Sequence, residues 1–398
     1  MKKFMMRSRV GDVGRTAPTI GTPRRFAHRD FPAGERLRSR VAHRPDARMP
    51  RNHLLGLDGL RALAVLGVLW HHAGPVTGAQ AVHANGFLGV DLFFVLSGLL
   101  ITGLLLDEQA ANGRIALAKF YVRRSLRIFP LYYAVLAALT LYFVLSSGAS
   151  SQRETFLREL PWQLSYLSNW VPIHSMLAIS WSLSTEEQFY LVWPPLLAWL
   201  GRWSLWPLGV FLALNQLLNF GVLGALWPAL GAAQAQLNIL QITFTPILLG
   251  VLLAFALRSP LRERLTRVTA GPMLAVWTLL LAALACWPGD VQGAPRLAFH
   301  VVATLMLGGI VLHPGSRIVR ALEWRPLAFV GTVSYGVYLL HVVVLDATQR
   351  VLARLHIDTA GVTAFVVCAL GTIALAALSY RVFERPLLRL KDRWQPGV

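Results

Sequence analysis

Long apolar runs recur along the chain, broken at short intervals by basic or turn-forming residues. A run of about 18 or more apolar residues is long enough, as a helix, to cross a bilayer. The pattern predicts ten such helices, over residues 55–74, 87–106, 128–147, 186–201, 205–223, 240–257, 272–287, 297–313, 327–345 and 362–382. The expected fold class is therefore all-α, a polytopic integral membrane protein of about ten transmembrane helices. Within residues 200–240 an extra or re-entrant segment would change the count. No repeat of fixed period is visible, and no soluble domain is expected after residue 382.

Composition agrees with the pattern. Of 398 residues, 55% are hydrophobic and 14% charged, too apolar for an ordinary soluble enzyme. The net charge of +19 does not imply nucleic acid as a partner, because the basic residues fall in the gaps between apolar runs. With the N-terminus in the cytoplasm, the cytoplasmic gaps hold Arg114 to Arg127, Arg202, Arg258 to Arg267, Arg317 to Arg325 and the tail from Arg381. The opposite gaps at 75–86 and 223–239 hold no Lys or Arg, and Arg153 and Arg158 are matched by Glu154 and Glu159. That asymmetry predicts both termini in the cytoplasm.

Residues 1–52 differ in kind, with fourteen Lys/Arg against four Asp/Glu and no apolar run. They read as a basic cytoplasmic extension rather than a secretory signal, or as sequence upstream of a start at Met49. Residues 53–388 form the expected membrane domain and 389–398 a cytoplasmic tail. Cys286 and Cys368 read as small buried hydrophobes, and no Cys/His spacing offers a metal site.

Against this apolar background the polar residues stand out. In GLDGLRALAVLGVLWHHAG, eleven residues separate Arg61 from His72. Eleven helical steps close three turns plus about 20°, so both side chains share one face, about 16 Å apart along the axis. Asp58 shares that face, whereas His71 points about 100° away. A snorkelling arginine and an interfacial histidine would need no function. Three polar groups on one membrane face are nonetheless costly unless used.

The second run, GFLGVDLFFVLSGLLIT, carries Asp91 near its outer end and Ser97 midway. Its glycines Gly86, Gly89 and Gly98 suit close helix packing, while Asp91 either serves the site or orients another polar group. Arg123, Arg124 and Arg127 precede the third run, either as orientation charges or as a phosphate site, since guanidinium forks suit phosphate oxygens. In SWSLSTEEQFYLVWP, Ser184 and Glu187 have capping-box spacing, which leaves Glu186 without a structural use. In SYGVYLLH, Ser334, Tyr338 and His341 follow i, i+4, i+7 spacing and form one polar stripe. Counted from Leu327, His341 reaches the same outer half of the membrane as His72.

Taken in order, these segments resemble acyltransferase family 3, the bacterial integral-membrane O-acyltransferases that include O-antigen, exopolysaccharide and peptidoglycan O-acetylases. The resemblance rests on Asp58-Gly59-Leu60-Arg61 with the spacing to His72, Gly89-Val90-Asp91 through Ser97-Gly98, and Phe120-Tyr121 through Arg127. It continues in SWSLSTEEQFYL at 180–191, Ser334-Tyr335-Gly336 through His341, and Glu384-Arg385-Pro386. It implies a ten-helix membrane core in a bacterial inner membrane, acyl-CoA (most simply acetyl-CoA) as donor substrate with no permanently bound cofactor, and a hydroxyl of a cell-surface or lipid-linked glycan as acceptor. By position His72 matches the family's essential histidine and Arg61 its paired arginine.

Two departures are Ile179-Ser180, where some members place a histidine, and Thr243 to Pro246, where many carry polar residues. The subgroup with a fused extracytoplasmic esterase-like domain is not expected to include this chain. The expected catalytic residues are His72, Arg61, Glu186 and Glu187. Expected substrate contacts are Asp58, Asp91, Arg123, Arg124, Arg127, Ser182, Tyr335, Tyr338 and His341. His72 is expected to act as general base or as a transient acyl carrier. His72 and His341 are expected to line one cavity continuous with the arginines, with the acceptor arriving near Asp91 and Glu186. Two other readings stay open: a transporter of acyl groups or acylated product, and O-acylation of a small-molecule glycoside.

Overall fold

A computed structural model describes residues 55–74, 80–145, 151–222, 233–288, 291–359 and 361–390. The basic extension at 1–52 lies outside these residues, as do most of the tail and parts of the gaps at 75–86 and 223–239. The described residues are helical and contain no strand. In chain order the helices are α1 (Leu57–Ala73), α2 (Gln80–Asn85), α3 (Leu88–Asn112), α4 (Leu117–Leu145), α5 (Ser151–Leu164), α6 (Ser180–Leu200), α7 (Leu205–Asn219) and α8 (Ala233–Ala256). They continue as α9 (Leu261–Thr269), α10 (Met273–Ala285), α11 (Ala294–Leu312), α12 (Arg317–Leu322), α13 (Arg325–Thr332), α14 (Ser334–Arg354), α15 (Val362–Ser379) and α16 (Arg385–Leu390).

Among the described residues six helical runs are long and apolar enough to cross a membrane, or seven if Phe244–Ala256 and Leu261–Thr269, bent by 110°, form one broken span. Helix α1 has 17 residues and α10 has 13, both short of the roughly 20 that a bilayer asks for. Helices α6 and α7 merge into one 40-residue run, interrupted at Gly201, where the backbone turns to φ 54°. Trp199, Trp203 and Trp206 flank that break and are 84%, 60% and 70% exposed, as expected of aromatic side chains at a membrane interface.

The run expected at 327–345 is two helices. Pro326 starts α13 at its first turn, α13 stops at Thr332, and α14 runs on from Ser334 to Arg354. Hydropathy cannot register this break because the residues on both sides are apolar. His341 therefore lies about 10 Å, not about 20 Å, from the start of its helix. The capping box is also absent. Helix α6 begins at Ser180, so Ser184 is interior and its hydroxyl pairs with that of Ser168 at 2.7 Å.

Small residues set the helix spacing. A Cβ on Gly98 of α3 would stand 2.0 Å from the Ile247 carbonyl oxygen of α8, and one on Gly250 of α8 would stand 2.2 Å from that of Val95. The crossing is reciprocal, backbone against backbone, and only glycine permits it. Further along both helices, Arg258 donates to both Asp107 carboxylate oxygens at 2.9 Å and to the Gly103 carbonyl at 3.0 Å. This clamps the end of α8 to α3. The buried core falls into two clusters: one joins α3, α4, α6 and α14, the other joins α1, α3, α8 and α11.

Candidate functional site

Four arginines converge on one cavity. Arg61 comes from α1, and Arg123, Arg124 and Arg127 from the first turns of α4. The cavity, of about 360 Å³, is also lined by Ser97, Ser182, Glu186, Glu187, Ser334, Tyr335 and Tyr338. Helix α4 begins at Leu117, so its arginines are part of the helix rather than of a preceding loop. The 3–4 spacing turns Arg123, Arg124 and Arg127 toward the same side.

Each charged group here has identifiable surroundings. Arg61 pairs with Asp58 at 2.6 Å, one turn earlier on α1. Asp58 is fixed in turn by backbone packing, since a Cβ on Gly331 would meet the Asp58 carbonyl oxygen at 1.7 Å. The Arg124 guanidinium lies 4.0 Å from the centre of the Tyr190 ring, a cation–π contact. Arg123 stands 3.7 Å from Glu108. Glu186 is held through both oxygens: Ser97 donates to one at 2.7 Å and Tyr190 to the other at 2.9 Å.

Of the side chains that line this cavity, two carry a buried atom with no hydrogen-bond partner within the protein, Nε of Arg124 and Oε1 of Glu187. Buried polar atoms are rarely left so, and both belong to side chains that line the cavity. Such atoms are free to bind a guest that carries both acceptor and donor groups. Tyr335 is fixed at the cavity wall by its hydroxyl, which donates to the Ile128 carbonyl at 2.8 Å.

The cavity ends at a polar partition. The Tyr338 hydroxyl lies 2.6 Å from that of Ser182 and donates to the Ile179 carbonyl at 3.1 Å. Ser182 and Tyr338 face the arginine cavity, whereas Ile179 faces a second cavity of about 420 Å³ that also holds His72. His341 sits at this partition, 1% exposed, with its ring centre 4.9 Å from that of His72 and 5.7 Å from that of Tyr338. The single cavity expected from sequence is thus two cavities. Ser334 and Tyr338 of the α14 stripe line the first cavity, whereas His341, expected to line the site, lines neither and instead packs its ring edge against that of His72.

His72 is exposed into the second cavity. Its Nδ1 lies 3.0 Å from the Val68 carbonyl. A carbonyl only accepts, so Nδ1 carries the proton and Nε2 keeps its lone pair. His71 turns the other way, its Nδ1 2.8 Å from the His83 carbonyl on α2. One helical step therefore separates a histidine on a cavity from one used in packing.

Asp91 lines neither cavity. It is fully buried and accepts from Arg296 Nε and Nη2 and from His300, each at 2.9 Å. Arg296 also lies 5.0 Å from the Phe87 ring centre. This buried cluster ties α3 to α11 and leaves Asp91 no free oxygen for a substrate. Arg296 and His300 carry a sequence signal, an i, i+4 pair in an apolar helix, which only becomes legible once Asp91 is placed opposite. Tyr190 carries a similar signal, four residues after Glu186 on the same helix.

A model of a protein family described as an acyltransferase domain matches residues 54–381. The chain is 29% identical over 364 residues to a peptidoglycan O-acetyltransferase OatA from Listeria monocytogenes serovar 1/2a, covering 85% of this chain and 56% of that protein. It is 29% identical over 355 residues to an O-acetyltransferase OatA from Staphylococcus aureus, covering 84% of this chain and 57% of that one. The chain thus spans a little over half the length of these relatives. No solved structure matches it.

Proposed function

Because the chain belongs to the acyltransferase family, whose domain it matches over residues 54–381, we propose that it moves an acyl group, acetyl in the simplest case, from acyl-CoA to a glycan hydroxyl across a bacterial inner membrane. In this reading the membrane domain has ten passes, with both termini and the arginine cavity on the cytoplasmic side. The supporting observation is the division of α1 between two cavities. Arg61 lines the arginine-rich one and His72 the other, about 16 Å apart along the helix axis.

The donor's phosphates suit Arg123, Arg124 and Arg127, since charge-assisted guanidinium contacts are the strong ones for phosphate. Arg61, further in, supports the thioester end. The acyl arm then reaches the partition at Ser182 and Tyr338, beyond which lies His72. There, His72 Nε2 takes the proton of the acceptor hydroxyl, and the alkoxide oxygen attacks the thioester carbonyl. The C–S bond breaks, and the thiolate leaves with the proton that His72 returns. An acyl-imidazole formed first on Nε2 would give the same products in two steps. Glu186, held by Ser97 and Tyr190, sets the charge balance among the arginines.

The relatives support a glycan as acceptor, the Listeria protein being named a peptidoglycan O-acetyltransferase. The test is ester formation by the purified chain in detergent with radiolabelled acetyl-CoA and glycan oligosaccharides. The reading predicts labelled O-acetyl sugar that is lost in His72→Ala. Gradient-driven flux of acyl groups in liposomes, with no ester formed by the wild-type protein, would instead favour a transporter.

A further inference from the structure

The cavity around His72 has walls that the family assignment does not explain. Gln152 and Thr155, one turn apart on α5, face it from one side. Asp346 and Gln349, one turn apart on α14, face it from another, and His174 closes it. Phe143 and Met176 supply apolar surface beside these groups. Phe143 is itself held by a stack on Phe156, with ring centres 4.7 Å apart.

The wall that carries His174 is built rather than incidental. Both carboxylate oxygens of Glu159, a residue 7% exposed, accept from backbone N–H groups, His174 at 2.8 Å and Ser175 at 2.9 Å. The Gln163 side chain donates to the Ser175 hydroxyl at 2.9 Å, and the Gln163 backbone carbonyl accepts from the Tyr132 hydroxyl at 2.9 Å. A segment connecting α5 to α6 is thereby fixed against α4 and α5. Such pre-organisation lowers the cost of ordering a binding wall when a ligand arrives.

Charge defines the ligand class. The arginine cavity presents four guanidinium groups, whereas this one presents no Lys or Arg among its described lining residues. Its one carboxylate, Asp346, is already paired with Arg350 at 2.9 Å. The Arg350 guanidinium is committed to that carboxylate, so an anionic ligand would meet no uncommitted arginine or lysine among the described lining residues. Carboxamides, a threonine hydroxyl and an imidazole beside an aromatic face match a hydroxyl-rich ring with apolar faces.

Resting on the acyl-transfer reading of His72, we infer that this cavity is the acceptor subsite, that it takes one uncharged pyranose residue of a glycan, and that Gln152 and Gln349 hold it. The acceptor then approaches between α5 and α14, not beside Asp91. His72 lies in the same cavity, so a sugar seated there can present a hydroxyl to its Nε2.

The test is direct binding by the purified full chain in detergent without acyl-CoA, so it does not depend on catalysis. The probes are cellotetraose and tetra-N-acetylchitotetraose as neutral sugars, and a hyaluronan tetrasaccharide as the uronate-bearing counterpart, titrated by saturation-transfer NMR. The wild type should bind at least one neutral sugar, and at least tenfold more tightly than the uronate. Gln349→Leu and Gln152→Leu, both at exposed positions, should each weaken neutral-sugar binding about fivefold, as one hydrogen bond is lost. Coenzyme A binding should stay unchanged in both. Neutral-sugar binding that is absent, indifferent to both substitutions, or no tighter than uronate binding overturns the inference. Loss of the acyl-transfer reading would show elsewhere, as wild-type protein that binds the sugar but forms no ester.

Discussion

Replacing Arg296 with Met tests whether Asp91 is a structural anchor or part of a substrate path. Asp91 is fully buried and receives three hydrogen bonds at 2.9 Å, two of them from Arg296. Removing the guanidinium deletes two charge-assisted bonds, each worth about 1.5–3 kcal/mol. It also leaves a buried carboxylate with only His300 as donor. Breaking one side of a buried pair costs about 3–5 kcal/mol, so the folded-to-unfolded ratio should fall by two to four orders of magnitude, at about tenfold per 1.4 kcal/mol. Replacing both partners, Asp91→Leu with Arg296→Met, removes the unpaired charge and should recover most of that loss. Thermal unfolding in detergent, followed by tryptophan fluorescence and by the monodisperse fraction on size exclusion, reads all three proteins. The reasoning fails if Arg296→Met is as stable as wild type, or if the double variant is the less stable of the two.

Four further outcomes follow from the geometry. His72→Ala should abolish acyl transfer, a loss of at least the 10²–10⁴-fold typical of a general base, whereas His71→Ala should keep most activity in the same initial-rate assay. Arg124→Met should raise the KM for acyl-CoA about tenfold or more, through loss of a charge-assisted phosphate contact, and leave the KM for the acceptor unchanged. Tyr338→Phe removes the hydroxyl that bridges Ser182 and Ile179, so acyl-CoA hydrolysis without acceptor should rise. A Tyr338→Phe protein with no added hydrolysis would show that this hydroxyl does not keep the two cavities apart. Gly98→Val should lower thermal stability in detergent, because even its Cβ would stand 2.0 Å from the Ile247 carbonyl and overpacking costs about 1–3 kcal/mol or more.

The helices and the polar face of α1 were legible because they are written in local spacing. Asp58 and Arg61 pair as one turn apart implies, and the separation of His71 from His72 follows from a single 100° step. The convergence of Arg123, Arg124 and Arg127 was legible for the same reason. Features made by chain segments distant in sequence were not. Asp91 meets Arg296 and His300 about two hundred positions later, and nothing in the apolar periodicity of α3 records that pairing. The break at Val333 is hidden because α13 and α14 are equally apolar around it, although Pro326 marks the start of α13. The Ser184–Glu187 spacing suggested a cap, but tertiary contacts extend α6 one turn earlier, to Ser180. The walls of the His72 cavity come from α5, α14 and the segment before α6, elements whose polar residues looked like ordinary surface positions.

The sidedness of transfer tests the central claim most directly. Protein reconstituted in liposomes in one known orientation, with acceptor oligosaccharide trapped inside and radiolabelled acetyl-CoA outside, separates the two substrates by the bilayer. Where the arginine cavity faces outward, the account predicts labelled O-acetyl sugar inside the liposomes, absent in His72→Ala and in liposomes of the opposite orientation. Label appearing only on acceptor supplied on the same side as acetyl-CoA would contradict it.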